Sequence, residues 1–288
     1  MIGLAKYPGS KQRVAQRILR CLPPVFDAYV EPFCGNSPFL QPQFHHYLDP
    51  SRHQVWLNDL CIDVVNVLRS LKDDPESFID ELMTRKDRCR TTADTVREFH
   101  QAKQDWIETE DPVAYLFLRR MAVAHIVLRK RPSRCSISPK YVSPTQDGVT
   151  RNGMRALTRE RMEVAARIAQ DVDRVTCVDF REVLSNLPDR CVVYLDPPYW
   201  TRSVSDWYDH VFTQQDHFDL AEILRSLDPS RHKFLMTVEI SELSKTLYVL
   251  PDCFNWQTLD ITYCVPCKGT RRVKELLVSN YDWRTSSW

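Results

Sequence analysis

The chain has 288 residues, 43% hydrophobic and 10% aromatic, and its charged side chains balance to a formal net charge of +1. That length and composition fit one large folded α/β domain, or one domain carrying an insert, and exclude a disordered or fibrous chain. The even charge balance excludes a globally basic nucleic-acid binder, so any surface for a polyanion has to be a local patch.

Met1 to Lys11 holds no apolar core of signal-peptide length, and no run approaches a membrane span. The 10 cysteines are scattered through apolar contexts without a disulfide framework, so a cytosolic chain with reduced thiols is expected. Cys264 and Cys267 form a lone CxxC with no second pair at zinc-finger spacing, which argues against a metal site. No internal repeat or low-complexity tract is present.

Taken in chain order, Tyr7-Pro8-Gly9-Ser10-Lys11 reads as a turn, with Ser10 capping a helix whose apolar positions are Val14, Ile18 and Leu22. Lys11 taken alone reads as a surface lysine. A strand over Asp27–Phe33 then runs into the tight loop Cys34-Gly35-Asn36-Ser37, which opens a helix. Such a strand–loop–helix junction is where a nucleotide-like cofactor meets backbone N–H groups, although Gly35 by itself is also an ordinary turn residue. Val55-Trp56-Leu57 forms a second strand ending at Asn58-Asp59. An acid at that tip is placed to hydrogen-bond ribose hydroxyls, and one of the two residues also suits the cap of the periodic helix Leu60–Leu71.

From Leu60 to Asp111 the pattern is helical, with Phe78, Ile79 and Leu82 on one face and Ala93–Trp106 continuing it. Pro112–Gln146 differs, because it has no Asp or Glu but contains Arg119, Arg120, Arg129, Lys130, Arg131, Arg134 and Lys140. Its first half, Val113–Leu128, reads as a buried helix and its second half as loop or ribbon. A solvated basic face is the plain reading, and phosphate contact is the functional one. Asp147-Gly148 and Asn152-Gly153 mark turns or a linker, followed by a helix Thr158–Gln170 with Thr158 as cap. A strand Val175–Val178 ends in Asp179-Phe180. Helix Thr213–Leu227, strand Phe234–Val238 and a short helix Leu243–Leu247 come later. Two terminal strands, Trp256–Val265 and Val273–Tyr281, are joined through residues 266–272. Strands alternating with helices and then a closing hairpin describe a Rossmann-like α/β sheet with an antiparallel edge.

Cys191–Leu195 has the length and β-branched content of a buried strand, and Asp196-Pro197-Pro198-Tyr199 follows it. Ligands of open α/β sheets bind outside such carboxyl ends. The prolines offer carbonyls without N–H groups and make a rigid corner. An acid, donor-free carbonyls and an aromatic face suit a planar exocyclic amine. Asp196 and the Pro197 carbonyl would accept its protons, and the Tyr199 ring would stack. On that reading the Tyr199 hydroxyl is dispensable. The plain alternative is a strand-end turn with a tyrosine.

Together these residues resemble the Dam-type (D12 class, alpha group) DNA adenine-N6 methyltransferases over nearly the whole chain. Glu31-Pro32-Phe33-Cys34-Gly35 is similar to the family's cofactor motif, Tyr7–Lys11 to its N-terminal motif and Asp196–Tyr199 to its catalytic tetrapeptide. Phe212-Thr213 through Leu224 and Gly269–Leu277 also match in order and spacing. The resemblance implies an S-adenosylmethionine-dependent methyltransferase sheet with a mainly helical target-recognition insert at 61–154, between catalytic parts 1–60 and 155–288. It implies transfer of the cofactor's methyl group to the N6 amine of an adenine flipped from double-stranded DNA. S-adenosylhomocysteine would be the product, and neither a metal nor a covalent cysteine would take part.

The implied catalytic residues are Asp196, Pro197, Pro198 and Tyr199. The implied cofactor residues are Tyr7, Lys11, Glu31, Pro32, Phe33, Gly35, Asn36, Ser37, Asp59, Asp179, Phe180 and Asp196. The acid-free segment's cations would face DNA together with Lys268, Arg271 and Arg272. A monomer or weak dimer, with no membrane partner, completes the expectation. Two departures stand out. Ser10 and Ser37 replace family glycines, and the Cβ of Ser37 falls where the backbone should approach the cofactor. The stretch around His125–Arg134 also lacks the recognition pattern of GATC-specific members. An inactive DNA-binding homologue, or a methyltransferase for cytosine N4 or RNA adenine, is the alternative.

Overall fold

The computed structural model describes residues 11, 14–35, 37–123, 127–129, 132–138, 153–199, 210–265 and 269–283, with backbone alone for 155–156, 262–265 and 269–271. The chain divides into two compact units, one of residues 11–60 and 172–288, the other of residues 1–10 and 61–171.

The first unit is built on a seven-stranded sheet of β1 (Ala28–Glu31), β2 (Gln54–Asn58), β3 (Arg174–Thr176), β4 (Cys191–Leu195), β5 (His232–Glu239), β6 (Asn255–Val265) and β7 (Gly269–Ser279). Their order is β3-β2-β1-β4-β5-β7-β6. The first five strands are mutually parallel, and β7 runs antiparallel to both β5 and β6. This mixed sheet is consistent with a methyltransferase fold. The central strands are apolar on both faces, as strands covered on both sides must be, and β1 and β4 are buried throughout. The helices of this unit are α1 (Ala15–Leu19), α2 (Pro42–Leu48), α8 (Phe180–Ser185), α9 (Gln214–Ser226) and α10 (Glu242–Tyr248). One core cluster joins Val30, Val193, Met236 and Val278 of the sheet to Val183, Leu220, Leu224 and Tyr248 of the helices. Each such side chain contributes roughly 1.5–3 kcal/mol on burial.

Several boundaries differ from the sequence reading. Strand β1 stops at Glu31 because Pro32 has no N–H to continue the ladder. Helix α1 starts only at Ala15, after Val14, which makes no side-chain cap, and the expected cap Ser10 lies outside the described residues. The closing strand begins at Gly269, so Gly269–Arg272 belong to β7 and the connection is residues 266–268.

The second unit is helical among its described residues, with α3 (Ile62–Asp73), α4 (Pro75–Arg88), α5 (Thr92–Thr109), α6 (Pro112–Met121) and α7 (Arg159–Gln170). Helix α3 begins after Cys61, which makes no side-chain cap, so neither Asn58 nor Asp59 serves as its cap. Thr91 and Thr158 cap α5 and α7 through their hydroxyls. Helix α7 packs on α3 and α4, which carries this unit to Asp171, beyond residue 154 where the sequence reading ends the insert.

The expected helix Val113–Leu128 also ends early. Ala122 turns extended and bridges antiparallel to Ile137, while the Val123 N–H donates to the Ser136 carbonyl. Arg119 and Arg120 fall on the buried part of α6 at 1% and 3% exposure. Their expected place on a DNA surface is therefore corrected, because α6 is buried on every side from Val113 to Met121. No helix of the described residues is long and apolar enough to cross a membrane.

Candidate active site

The strand order reverses between β1 and β4, and at such a switch point the loops leaving neighbouring strands part and open a crevice. Glu31–Ser37 leaves β1 there, and Asp196–Tyr199 leaves β4. Strand β7 is antiparallel, so Glu275, the first of its residues to pair with β5, is carried to the same end of the sheet, opposite Glu239.

Asp196 is the centre of a hydrogen-bonded cluster. Lys11 Nζ donates to Asp196 Oδ1 at 2.8 Å and Oδ2 at 3.0 Å, and to the Tyr199 hydroxyl at 2.7 Å. Thr237 Oγ1 donates to Asp196 Oδ1 at 3.1 Å and is itself 2.9 Å from the Tyr194 hydroxyl. The Tyr199 hydroxyl donates to Glu275 Oε1 at 2.6 Å, and Lys11 Nζ stands 3.5 Å from Glu275 Oε2. Burial raises the Asp196 carboxyl above its ordinary range, the Lys11 ammonium opposes that rise and Glu275 adds to it. Behind the tetrapeptide, burial holds His217 of α9 neutral, pushed down to about 4 against Asp216 and the Pro198 carbonyl. The corner is thereby backed by an uncharged ring.

On the β1 side, Gly35 adopts φ 44°, a left-handed conformation open to glycine at little cost. Its N–H donates to Asp59 Oδ2 at 2.8 Å, which fixes the second-strand acid beside the glycine turn. Asn58 ties three strand ends together. Its amide donates to the Pro32 and Val178 carbonyls at 2.9 and 3.0 Å, and its oxygen accepts from Thr176 Oγ1 and the Val178 N–H. Ser37 is fully buried and turned inward. Its hydroxyl donates to Glu31 Oε1 at 2.6 Å and accepts from the Phe39 N–H. The sequence reading placed the Ser37 Cβ in the path of a cofactor, whereas the side chain caps the short turn Pro38–Leu40. Glu31 also accepts from the Tyr29 hydroxyl at 2.8 Å, and burial pushes its carboxyl up to about 8. Glu31 Oε2 has no hydrogen-bond partner among the described residues.

The third strand end supplies Asp179 and Phe180. Phe33, Phe180 and Phe212 form a triangle of rings with centroids 5.5 Å apart. Asp179 caps α8 by accepting the Arg181 N–H at 2.9 Å, and the Arg181 guanidinium lies 4.4 Å from the Phe180 ring centroid. That guanidinium also binds Asp179, Asp216 and Asp219.

The expected residues Lys11, Glu31, Pro32, Phe33, Gly35, Ser37, Asp59, Asp179, Phe180 and Asp196–Tyr199 thus all belong to the sheet unit. Tyr7, Asn36, Lys130, Arg131, Lys140 and Lys268 lie outside the described residues, as does the Arg271 side chain. Sequence reasoning missed Glu275, Thr237 and His217. Glu275 and Thr237 sit inside runs read as strand, and only the register shows that they reach Asp196. Among the expected DNA-facing cations, Arg134 and Arg272 are exposed, and Arg129 is paired with Asp63.

A mostly parallel sheet with a glycine turn, an acid-capped second strand and an Asp-Pro-Pro-Tyr corner around its switch point defines an α/β protein of methyltransferase type. The chain belongs to the D12 class N6 adenine-specific DNA methyltransferase family, whose profile matches residues 7–263. It is 20% identical over 289 residues to a type II methyltransferase of Lactococcus lactis subsp. cremoris, covering 96% of this chain and 94% of that protein. It is 24% identical over 228 residues to a DNA adenine methylase of Vibrio cholerae, covering 76% and 74%. It is also 23% identical over 255 residues to the retron Ec67 DNA adenine methylase of Escherichia coli, covering 86% and 81%. Family and relatives support N6-adenine DNA methylation as the general activity.

Proposed function

We propose that the protein transfers a methyl group from S-adenosylmethionine to the N6 amine of an adenine turned out of double-stranded DNA, and that the second unit carries the target-recognition surface. The observation that carries this reading is Asp196, whose side chain stands 23% exposed at the end of β4 and is paired at 2.8 Å with the sealed Lys11 ammonium. The amine of a paired adenine is out of reach inside the duplex, so extrusion of the base is required.

The residues on the cofactor side fit such a group. The Gly35 turn leaves its Cβ position 4.0 Å from the Asp59 carboxylate, the Ser37 hydroxyl is bound to Glu31, and Glu31 keeps a buried oxygen without a partner among the described residues. Asp59 would accept from ribose hydroxyls, and Asp179 with Phe180 would meet the adenine. When bound, the cofactor supplies an electrophilic methyl group on a sulfonium.

This chain's own residues do the positioning. Asp196 accepts an amine N–H through lone pairs that Lys11 and Thr237 leave over, since a carboxylate offers about four acceptor sites. The Pro197 carbonyl accepts the other N–H, which turns the nitrogen lone pair outward, and the rigid corner fixes both acceptors. Orientation of this kind supplies most of the rate in a direct transfer.

The test is expression in a cell lacking adenine methylation, with mass spectrometry of the plasmid nucleosides and calorimetric titration of S-adenosylmethionine. N6-methyladenine together with saturable cofactor binding is the expected result. N4-methylcytosine in place of methyladenine, or no cofactor binding, would overturn the reading.

A further inference from the structure

We propose that Glu275 is a positioning residue of this site, holding Tyr199 by its hydroxyl and Lys11 by its ammonium so that aromatic face and acid keep a fixed relation. The inference rests on the methyltransferase reading, because it assigns a role within that site.

The donor count fixes the direction of the chain of bonds. An ammonium has no acceptor, so Lys11 donates to the Tyr199 oxygen, and the single hydroxyl proton of Tyr199 is left for Glu275 Oε1. Both ends of the chain are sealed, with Lys11 at 2% and Glu275 at 1% exposure. The sheet itself gains nothing from an acid here. Leu276, Leu277 and Val278 continue β7 as apolar residues, and the register sets Glu275 directly opposite Glu239, where like charges repel. Burial and Glu275 together push the Glu239 carboxyl up to about 7, so the cost of the pair is visible on its neighbour. What Glu275 does gain is contact with the two side chains that touch Asp196 or follow it in the tetrapeptide.

One consequence reverses the sequence expectation for Tyr199. Phenylalanine keeps the ring but removes the bridge between Lys11 and Glu275, and takes one donor from a buried carboxylate.

The experiment uses the full chain with Tyr199→Phe, Glu275→Ala, Glu275→Gln and the double variant Tyr199→Phe/Glu275→Ala. Urea midpoints, which need no activity, should be non-additive, the double variant losing little beyond the worse single one. On plasmid DNA, Tyr199→Phe and Glu275→Ala should each lower kcat on the order of 100-fold, the scale of a misplaced reacting group. S-adenosylmethionine affinity by calorimetry should stay near wild type. Glu275→Gln keeps an acceptor for the hydroxyl, so it should recover most of kcat.

Among the described residues, the charged and titratable groups around Asp196 are Lys11, Tyr199, Tyr194, Glu31 and Glu275, with Glu239 behind Glu275. Removing the Glu275 charge alone should therefore move the acid limb of kcat to lower pH. Additive midpoints, or full activity in both Tyr199→Phe and Glu275→Ala, would overturn the proposal. A wild-type protein that leaves no methyladenine would overturn the methyltransferase reading instead, and the urea cycle would still decide the clamp.

Discussion

Two ion pairs, one in each unit, have the same chemistry and opposite exposure. Asp63 of α3 is 1% exposed and takes the Arg129 guanidinium on both oxygens, while the Trp106 indole donates to Oδ1 at 3.0 Å. Here the acid is sealed and the cation is presented, with Arg129 at 27% exposure. In the sheet unit the Lys11 side chain is sealed at 1% and that of Asp196 is presented at 23%. The buried member fixes the exposed one, and the chemistry of the exposed member decides what it can meet. A fixed guanidinium suits a phosphate, and a fixed carboxylate suits an amine.

The largest expected effect separates the two pairs by readout. Asp196→Ala should abolish methyl transfer while cofactor affinity falls far less, because that acid acts on the acceptor amine. Asp63→Ala should leave the chemistry in place and cost about 1–3 kcal/mol of stability, since it takes the acceptor from the buried Trp106 indole N–H. Methylation assays and urea melts on both variants check this. An active Asp196→Ala protein would sink the mechanism, and an Asp63→Ala protein of full stability would show that its pair is no anchor.

A pH titration sharpens the same point on Glu31. Its folded proton affinity is raised, so the native chain keeps a proton that the unfolded chain releases above its ordinary 4.5. The unfolded state then binds fewer protons, and this contribution to stability is full below that value and lost as pH rises through about 8. His217 acts in the opposite sense, because its proton affinity is depressed. Its contribution is lost as pH falls from 6.5 through about 4. The Glu31 contribution should therefore fall between pH 4.5 and about 8 by the equivalent of a few kcal/mol, and Glu31→Gln should flatten that decline in melting temperature. An unchanged slope over that window in the variant would mean that Glu31 is ionised in the native protein.

Smaller again is Asp59→Ala, which removes the acceptor of the Gly35 N–H and should weaken cofactor binding by about 1.5–3 kcal/mol. Calorimetry decides it. Equal losses of DNA and cofactor affinity would point to local unfolding of the turn instead.

How much of this was legible in the sequence depends on how local the cause is. The strand–acid junctions at Glu31, Asp59, Asp179 and Asp196 were readable, because a buried apolar run followed by an acid and a turn is a short-range pattern. The extent of α6 was not, because the apolar run Val113–Leu128 reads the same whether helical or extended, and only the bridge from Ala122 to Ile137 settles where it turns. Lys11 could be placed near a helix start but not on Asp196, whose partner lies 185 residues away. The hydroxyl of Ser37 was illegible for a related reason. Its identity shows that a Cβ is present, and only the turn shows that the hydroxyl points back at Glu31.

The smallest predicted effect asks whether presented cations of the helical unit, rather than all cations of the acid-free segment, meet DNA. Arg134 is exposed, whereas Arg119 and Arg120 are enclosed in α6. A guanidinium reaches a phosphate only from the surface, and each phosphate contact releases condensed counterions, so losing one should flatten the slope of log K against log salt by roughly one unit. Arg134→Gln should do this and leave stability within about 0.5 kcal/mol, as surface changes do. Arg119→Gln should leave the slope alone and lower the urea midpoint, because it alters packing beside Tyr115, whose ring centroid lies 5.8 Å away. Arg129→Gln belongs between them, moving both readouts, since the same side chain is anchored on Asp63 and open to solvent. A salt slope that responds to Arg119 and ignores Arg134 would reverse the assignment, and would mean that α6 opens when DNA binds.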